Sequence, residues 1–345
     1  MGSGHLMRCL TLAEELRKER QVSIRFVCRD LPGNLSSLVE DKGYHLTILP
    51  YNENQQKFLE KASQHKQWLG ASVDMDREQT VELLKNIGKV DLLVVDNYAL
   101  DEAWESPMRQ YVKKIMVIDD LADRKHDCDI LLDHNYYTNL EGRYDSLVPK
   151  HCKKLLGPKH ALLNSALEDV RRYRLEHKVE STGTINRVVV FMGGADFGNF
   201  TQRVVQQFLK INFTFLVDVV VGSSNANKNL INQLCNSHDK FFYHEQPENY
   251  YRLLAEADFA IGAGGVSQLE RNYIQLSSIV LSVAENQINT VKDMFVKKYL
   301  IFIKDVSMID LAFNNIDKIK AMGVERLSQE NLMQLCAQEK TVYTK

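Results

Sequence analysis

Short apolar runs rich in β-branched residues alternate with helix-length amphipathic segments along most of the chain. In the first half these runs cover residues 22–28, 44–49, 91–96, 115–119 and 128–132. In the second half they cover residues 187–192, 213–221, 241–243, 258–262, 278–283 and, more weakly, 300–303. Apolar strands separated by helices are typical of parallel sheets that carry helices on both faces. We therefore predict an α/β protein with two Rossmann-like, doubly wound domains that face a cleft, where ligands bind at the carboxyl ends of the strands.

The length of 345 residues fits two domains, because domains of about 150 residues are common. Segment 168–184 is polar and highly charged and has no strand pattern, so we expect a helix and a connection there. We assign residues 1–167 to an N-terminal domain and residues 185–325 to a C-terminal domain. Residues 326–345 are expected to form a C-terminal helix, over 327–338, and a tail.

The charge balance argues against a polyanionic partner. The chain has 43 Lys and Arg against 45 Asp and Glu, a formal charge of -2, whereas nucleic-acid-binding proteins carry a basic surface. It shows no secretory signal pattern and no apolar run of about 18 residues. Six cysteines without a Cys-x-x-Cys pair are typical of reduced thiols. We expect a cytoplasmic protein that binds neither nucleic acid nor membrane and uses no metal or cofactor, while protein partners stay unknown.

A glycine pair and a histidine precede the first amphipathic helical pattern. Gly4 and His5 stand where the helix begins, and backbone N–H groups at such an end attract phosphate or carboxylate. The same helix end disfavours a protonated imidazole, which makes His5 a candidate general base. The alternatives are a solvated surface histidine and a cloning remnant. Such a glycine turn normally follows a β-strand. Because only Met1 precedes Gly2, we expect either that the start has been placed too late or that the protein lacks the first strand of the N-terminal domain.

Three loops of small residues follow strands of the second half. They are Gly193-Gly194-Ala195-Asp196-Phe197-Gly198-Asn199, Gly222-Ser223-Ser224-Asn225 and Gly262-Ala263-Gly264-Gly265-Val266-Ser267. Glycines allow the backbone to approach a diphosphate closely, and the helix that follows directs N–H groups at it. Any one loop could be an ordinary βα turn, but the three together favour a phosphate-bearing ligand, with Ser267 adding a hydroxyl.

Glu270 follows Ser267 by three residues, which is the spacing of a capping box. The alternative, which we favour, is a carboxylate that accepts hydrogen bonds from the two ribose hydroxyls of a nucleotide. In the first domain, Asn97 and Tyr98 follow a predicted strand, and Tyr98 is either a wall of a sugar pocket or an edge tyrosine.

Two acidic patterns imitate metal sites. His126 to His134 lies on and around a strand whose alternation sends neighbouring side chains to opposite faces, so we do not predict a metal there. Asp74 and Asp76 imitate the carboxylate pair of metal-dependent sugar transferases, but they precede a charged helix instead of following an apolar strand.

Several motifs in one order resemble a known family. They are Gly2 to Cys9, Asp96 to Asp101, Ile118 to Asp123, His126 to Asn135, Leu156-Gly157-Pro158, Met192-Gly193-Gly194, Gly262 to Arg271 and Ala284 to Gln287. The resemblance covers residues 2 to about 300 and is to the UDP-2,4-diacetamido-2,4,6-trideoxy-β-L-altropyranose hydrolases of pseudaminic acid biosynthesis, the PseG family. It implies a GT-B pair of Rossmann-like domains related to MurG, with UDP held mainly by the C-terminal domain. It also implies metal-independent hydrolysis to UDP and the free sugar, with inversion at the anomeric carbon.

The resemblance implies roles for particular residues. His5 would be the base that activates water, and UDP is an acceptable leaving group where N–H donors stabilise its charge. The predicted substrate-binding residues are Gly4, Arg8, Asn97, Tyr98, Gly193, Gly194, Asn199, Gly264, Gly265, Ser267, Glu270, Asn286 and Gln287. Among these, the Gly193 and Gly264 loops would contact the diphosphate.

The chain also departs from the family pattern. Without the first strand, the N-terminal sheet is expected to lose a central member and His5 its anchoring. Residues 274–277 replace a Leu-Gly-Leu-Pro turn, and Phe197-Gly198 replaces an Asp-Pro step. Two other functions stay open: a glycosyltransferase of the same architecture, and a UDP-sugar-binding protein without catalytic activity.

Overall fold

The computed structural model describes residues 3–19, 22–51, 64–177, 185–281, 285–315, 318–328, 331 and 341–344. The chain divides into two compact units. Unit 1 comprises Met1–His134, Asn139–Leu162 and Leu327–Lys345, and unit 2 comprises Asn135–Thr138 and Leu163–Arg326. The excursion of residues 135–138 into unit 2 is not visible in the linear sequence pattern.

Strands alternate with helices in both units. The strands are β1 Ser23–Arg29, β2 His45–Leu49, β3 Val90–Val95, β4 Val112–Ile118, β5 Ile130–Asp133, β6 Lys153–Leu156, β7 Arg187–Phe191, β8 Leu216–Val221, β9 Phe241–Glu245, β10 Phe259–Ala263, β11 Ser278–Leu281, β12 Ile301–Ile303 and β13 Thr341–Thr344. The helices are α1 Ser3–Glu19, α2 Ser37–Asp41, α3 Gln64–Gln67, α4 Val73–Ile87, α5 Glu102–Met108, α6 Ala166–His177, α7 Phe200–Phe208, α8 Lys228–Cys235, α9 Tyr250–Glu256, α10 Val266–Tyr273, α11 Glu285–Val296 and α12 Ile309–Phe313. Two 3₁₀ turns cover Pro158–His160 and Val306–Met308.

Among the described residues, unit 1 forms a sheet in the order β2-β1-β13-β3-β4-β5-β6, with parallel neighbours throughout. For the same ranges of chain, unit 2 forms a parallel sheet in the order β12-β11-β10-β7-β8-β9. The predicted α/β fold with parallel sheets is confirmed.

The centre of the first sheet differs from the prediction. Strand β13 lies between β1 and β3, with Val342 opposite Ile24 on one side and Leu92 on the other. The expectation that this sheet loses a central member is therefore wrong, because residues predicted to be a tail provide one. The side chain of Val342 is 1% exposed and belongs to the same hydrophobic cluster as Leu92. Val342 is β-branched and buried between two neighbouring strands, which stabilises β13 in the centre of the sheet. Most of the predicted C-terminal helix, residues 332–338, lies outside the described residues.

Alternation along the central strands gives unit 1 two cores. Val94 packs on the face that carries α1, with Leu10 and Leu12 of that helix. Val95, the next residue, packs on the opposite face with Trp104. Successive side chains of a strand point to opposite faces, so the position of a residue after the strand also determines which face its side chain meets.

Helix α6 occupies the first part of the predicted connection between the domains and belongs to unit 2. Its buried Arg174 donates hydrogen bonds to several backbone carbonyls, including those of Ala257 and Ile274. Each carbonyl oxygen accepts a charge-assisted bond, and these bonds fix the helix on the unit. Across the described ranges, the structure contains no helix that combines the length and the apolar character needed to span a bilayer.

Candidate active site

The first turn of α1 meets the carboxyl end of β3 through an ion-pair cluster. The Nδ1 atom of His5 lies 2.6 Å from Oδ1 of Asp96. Arg8, one turn further along α1, donates from Nε to Oδ2 of Asp96 at 2.6 Å and from an Nη atom to Oδ1 at 2.5 Å. His5 is thus anchored by a residue of β3's end, contrary to the expectation that it loses its anchoring.

Asp96 stays ionised in this cluster. Burial alone would raise the pKa of its carboxyl, but the charge of Arg8 and the hydrogen bonds from Arg8 and His5 hold that pKa well below its ordinary value. Nδ1 of His5 also lies 3.2 Å from an Nη atom of Arg8, but its contact with Asp96 is much shorter. An ionised carboxylate only accepts hydrogen bonds, so we infer that Nδ1 carries the proton. No described residue hydrogen-bonds to Nε2, which is therefore the nitrogen that can take a proton. Histidine–carboxylate pairs of this kind occur in enzymes that use histidine as a general base, and that role of His5 stays a prediction.

Tyr98 and Asp120 complete the surroundings of His5. The edge of the Tyr98 ring meets the His5 ring, with centroids 4.6 Å apart and planes at 79°. The Tyr98 hydroxyl donates to Asp120, and burial together with that carboxylate raises the pKa of Tyr98 well above its ordinary value. Asp120 also accepts from Arg8 at 3.3 Å. Tyr98 is therefore a neutral, fixed wall beside the candidate base.

The other predicted residues of unit 1 have mixed surroundings. Gly4 lies in the first turn of α1, and a Cβ built there would meet no atom within 4 Å. The side-chain oxygen of Asn97 accepts from Ala99 N at 3.0 Å and so shapes the turn after β3. All three guanidinium nitrogens of Arg8 bind the carboxylates of Asp96 and Asp120. Direct substrate contacts by Gly4, Arg8 and Asn97 stay predictions.

In unit 2, the loop after β7 packs closely against the loop after β8. A Cβ at Gly222 would collide with the backbone of Gly194, and Gly193 has a φ of 97°. Asn199 is the N-cap of α7 in a left-handed conformation and donates to Gln202 Oε1 at 2.6 Å. Only glycine fits at position 222, because any side chain there would collide with the backbone of Gly194. The result is a tightly packed turn of backbone at the start of a helix, half-buried at Gly193 and Gly194.

The loop after β10 lies beneath a side chain of α11. A Cβ at Gly264 would stand 3.1 Å from Gln287 Oε1, and one at Gly265 would stand 3.2 Å from Gln287 Nε2. Gln287 Oε1 is buried and has no hydrogen-bond partner among the described residues. The structure thus brings Gly264, Gly265 and Gln287 together. Asn286 lies in α11, but its side chain is outside the described part of the chain.

The capping-box alternative for Glu270 does not hold. Helix α10 has Gly265 as its N-cap, so Ser267 is already inside the first turn and Glu270 lies beyond the capping position. Removal of its carboxyl from water raises the pKa of Glu270 to about 7. Within the described residues its carboxylate forms no hydrogen bond or ion pair, so it is available to a ligand.

Side chains of the two patterns that imitate metal sites form hydrogen bonds and ion pairs with other residues of the protein. His126 Nδ1 lies 2.7 Å from Glu105, and Asp127 pairs with Arg109 at 2.8 Å. Asp76 is buried and accepts from Arg29 at 2.7 Å and from the Trp104 indole at 3.0 Å. Among the residues that the structure describes, no group of three or more His, Cys, Asp and Glu side chains is placed to hold a metal ion.

Asp96, Asp120 and His134 lie in the motifs that carry the family resemblance, but they were not predicted to be members of the site around His5. A signal was present: Asp96 and His134 directly follow two apolar strands, and Asp119-Asp120 follows the strand between them in sequence. Strand alternation places these three residues on the α1 face, but only the register of the sheet shows that they are neighbours.

By fold, the chain is an α/β protein with two Rossmann-like units, the architecture of GT-B glycosyltransferases. UGT89C1 of Arabidopsis thaliana, complexed with UDP, aligns with 98% of this chain and 97% of its own, with a TM-score of 0.62 and 11% identity. MurG of Acinetobacter baumannii aligns with 99% of this chain and 94% of its own, with a TM-score of 0.57 and 11% identity. UDP-GlcNAc 2-epimerase of Neisseria meningitidis, bound to UDP-GlcNAc, aligns with 91% of this chain and 98% of its own, with a TM-score of 0.52 and 11% identity. Identities this low establish the fold alone.

No model of a protein family matches the chain. It is 23% identical over 302 residues to the UDP-2,4-diacetamido-2,4,6-trideoxy-β-L-altropyranose hydrolase of Campylobacter jejuni. This alignment covers 87% of the chain and 93% of that relative. It is 24% identical over 291 residues to an uncharacterised protein of Methanocaldococcus jannaschii, which covers 83% of the chain. The chain spans about half, 54%, of the Methanocaldococcus jannaschii relative.

Proposed function

We propose that the protein hydrolyses a UDP-linked 2,4-diacetamido-2,4,6-trideoxy sugar to UDP and the free sugar, as a step of pseudaminic acid biosynthesis. The observation that carries this proposal is the pairing of His5 Nδ1 with the ionised Asp96 at 2.6 Å, which leaves Nε2 as a base. The similarity to the Campylobacter jejuni hydrolase, over 93% of that relative, supports the choice of substrate.

The proposed reaction needs one base and no metal ion. The oxygen of a water molecule attacks the anomeric carbon while one water proton passes to His5 Nε2. The bond between the anomeric carbon and the β-phosphate oxygen breaks, and UDP leaves with the electron pair. Attack opposite the leaving group inverts the anomeric configuration. The imidazolium formed on His5 is stabilised by the Asp96 carboxylate, as in other histidine–carboxylate pairs.

Unit 2 supplies the proposed nucleotide site. The Gly193 and Gly264 loops would donate backbone N–H groups to the diphosphate, and the beginnings of α7 and α10 would stabilise its charge. Glu270 would accept from the ribose hydroxyls, which is consistent with its lack of a partner among the described residues. Ser267 and Gln287 would add polar contacts at the same loop.

The test is UDP release by purified protein from the UDP-linked diacetamido sugar and from UDP-N-acetylglucosamine, each with and without EDTA. We expect EDTA-resistant turnover of the first substrate, and a loss of kcat of about 10²- to 10⁴-fold in His5→Ala, because proton transfer to a positioned base contributes that much. Met7→Ala, at a 45% exposed position of the same helix, is the matched control and should keep the full rate.

Three results would contradict the proposal. An unchanged rate in His5→Ala would exclude His5 as the base. UDP release that requires an added sugar or lipid acceptor would identify a glycosyltransferase instead of a hydrolase. UDP binding without any turnover would favour a binding protein.

A further inference from the structure

Three consecutive strands place one polar side chain each on the face of the sheet that carries α1. Val94 of β3, Ile118 of β4 and Leu132 of β5 all pack in the core cluster with α1. Two residues further along each strand, on the same face, stand Asp96, Asp120 and His134. Ile118 pairs with Leu132, so the same register brings Asp120 opposite His134. These residues, with His5, Arg8 and Tyr98, form what we call the strand-end cluster.

His134 differs from the other members of this cluster. It is 2% exposed, and its Nδ1 atom is buried with no hydrogen-bond partner among the described residues. His5, by contrast, is paired with Asp96, and Arg8 is paired with both carboxylates. A buried polar atom without a partner costs about 1–3 kcal/mol, so this nitrogen needs an explanation.

The electrostatic surroundings keep His134 neutral. Burial, together with the positive charge of Arg8, lowers its pKa to about 4, against opposing effects of Asp120 and Asp96. A neutral imidazole has one donor and one acceptor nitrogen. It therefore suits an uncharged polar group and not a phosphate, which would favour a cation. An acetamido group has one N–H and one carbonyl oxygen, so it can donate to Nδ1 if that nitrogen is unprotonated or accept from it if it carries the proton.

We propose that His134 is a specificity-determining residue whose Nδ1 atom hydrogen-bonds an acetamido group of the sugar. This inference rests on the proposed function, because it takes the sugar to be the diacetamido sugar and the base to be its neighbour His5. His134 holds the sugar and exchanges no proton with it. Its effect should therefore appear in substrate binding and not in the pH profile of the chemical step.

The experiment measures binding by calorimetry in the full chain carrying His5→Ala, so that a bound substrate is not consumed. The ligands are UDP and the UDP-linked diacetamido sugar, and the added variants are His134→Leu and His134→Gln. We expect His134→Leu to weaken the UDP-sugar about 10-fold and UDP less than about 2-fold, since one neutral hydrogen bond is lost. His134→Gln, which can still hydrogen-bond, should recover most of the loss.

A second measurement does not depend on the folding of any variant. In the wild-type chain labelled with ¹⁵N-histidine, the imidazole resonances of His134 should shift on addition of the UDP-sugar and stay unchanged on addition of UDP. Equal Kd values for the UDP-sugar in His134→Leu and its parent would overturn the inference. Imidazole resonances of His134 that do not shift on addition of the UDP-sugar would also overturn it. If the wild-type chain binds the sugar but releases no UDP, hydrolysis fails while the calorimetric comparison still decides the role of His134. If UDP and the UDP-sugar bind equally in the His5→Ala parent, the inference fails whatever the turnover.

Discussion

Asp96 determines what His5 can do, because its ionised carboxylate fixes the proton on Nδ1. An asparagine keeps the size of the side chain but can present an amide N–H instead of an acceptor. We expect Asp96→Asn to lower kcat for UDP release by about 10²- to 10⁴-fold, as in other enzymes whose histidine loses its carboxylate. The binding of UDP, measured by calorimetry, should not change.

Asp120→Asn is the matched control for this prediction. It leaves the contact between His5 and Asp96 in place and alters the partner of Arg8 and Tyr98 and the charge opposite His134. Its kcat should fall less than that of Asp96→Asn. Equal losses in the two variants would mean that Asp96 acts on the stability of the cluster and not on the tautomer of His5.

Glu270 should make UDP binding depend on pH. Because its pKa is raised to about 7, the carboxyl is protonated in the free protein below that pH and ionised above it. The ribose hydroxyls donate to the ionised form, so UDP affinity should rise as the pH increases through 7. The free energy of unfolding of the ligand-free protein should change with pH in the opposite direction to UDP affinity. A raised pKa stabilises the fold below the ordinary pKa of a glutamate, and this stabilisation is lost as the pH rises through 7.

The terminal phosphate of UDP ionises in a similar range, so the comparison needs a variant. Glu270→Gln should bind UDP more weakly at pH 8 and lose the part of the pH dependence that belongs to the carboxyl. Calorimetric titrations at pH 6 and pH 8 measure both effects. The same pH dependence in Glu270→Gln and wild type would exclude a ribose contact by this carboxylate.

At the residue scale, local patterns predicted His5 better than they predicted its partners. The position of His5 in the first turn of α1 follows from a helical pattern within sixteen residues. Asp96, Asp120 and His134 come from three different strands, and their proximity depends on the register between those strands. Register is a long-range property of the sheet, so a single sequence does not reveal it.

At the element scale, β13 is the most unusual feature of the fold. This strand, from the end of the chain, lies beside β3, whose carboxyl end carries Asp96. We expect Val342→Asp to destabilise the protein by about 3 kcal/mol or more, because it buries an unpaired carboxyl in the centre of the sheet. Guanidinium unfolding of the full chain measures this, and UDP release should be lost with it.

A substitution of the same kind at an exposed site is the control. Val296→Asp, at a position that is 72% exposed, should change the free energy of unfolding by less than about 0.5 kcal/mol. If Val342→Asp were as stable as Val296→Asp, β13 would not contribute to the sheet as described.

Most strands were predictable because each is an apolar run between polar segments, which a parallel sheet buried on both faces requires. Two were not. Strand β6 contains Lys153 and Lys154, and β13 has only four residues, so neither shows a continuous apolar run. The place of β13 in the middle of the first sheet could not be predicted from its position at the end of the chain.

At the scale of the whole molecule, the fold and the chemistry give different kinds of information. Glycosyltransferases and an epimerase share the architecture, so the two Rossmann-like units do not by themselves define a reaction. The proposal of hydrolysis depends on the histidine–carboxylate pair of unit 1 together with the glycine loops of unit 2. Its substrate choice depends on the Campylobacter jejuni relative.

The most direct measurement is a proton NMR time course of the purified protein with the UDP-linked diacetamido sugar and no acceptor. We predict that free sugar and UDP appear at equal rates, and that the first sugar formed has the anomeric configuration opposite to that of the substrate. Free sugar with retained configuration would contradict direct attack by water activated at His5. The absence of free sugar at a protein concentration that binds UDP would contradict hydrolysis altogether.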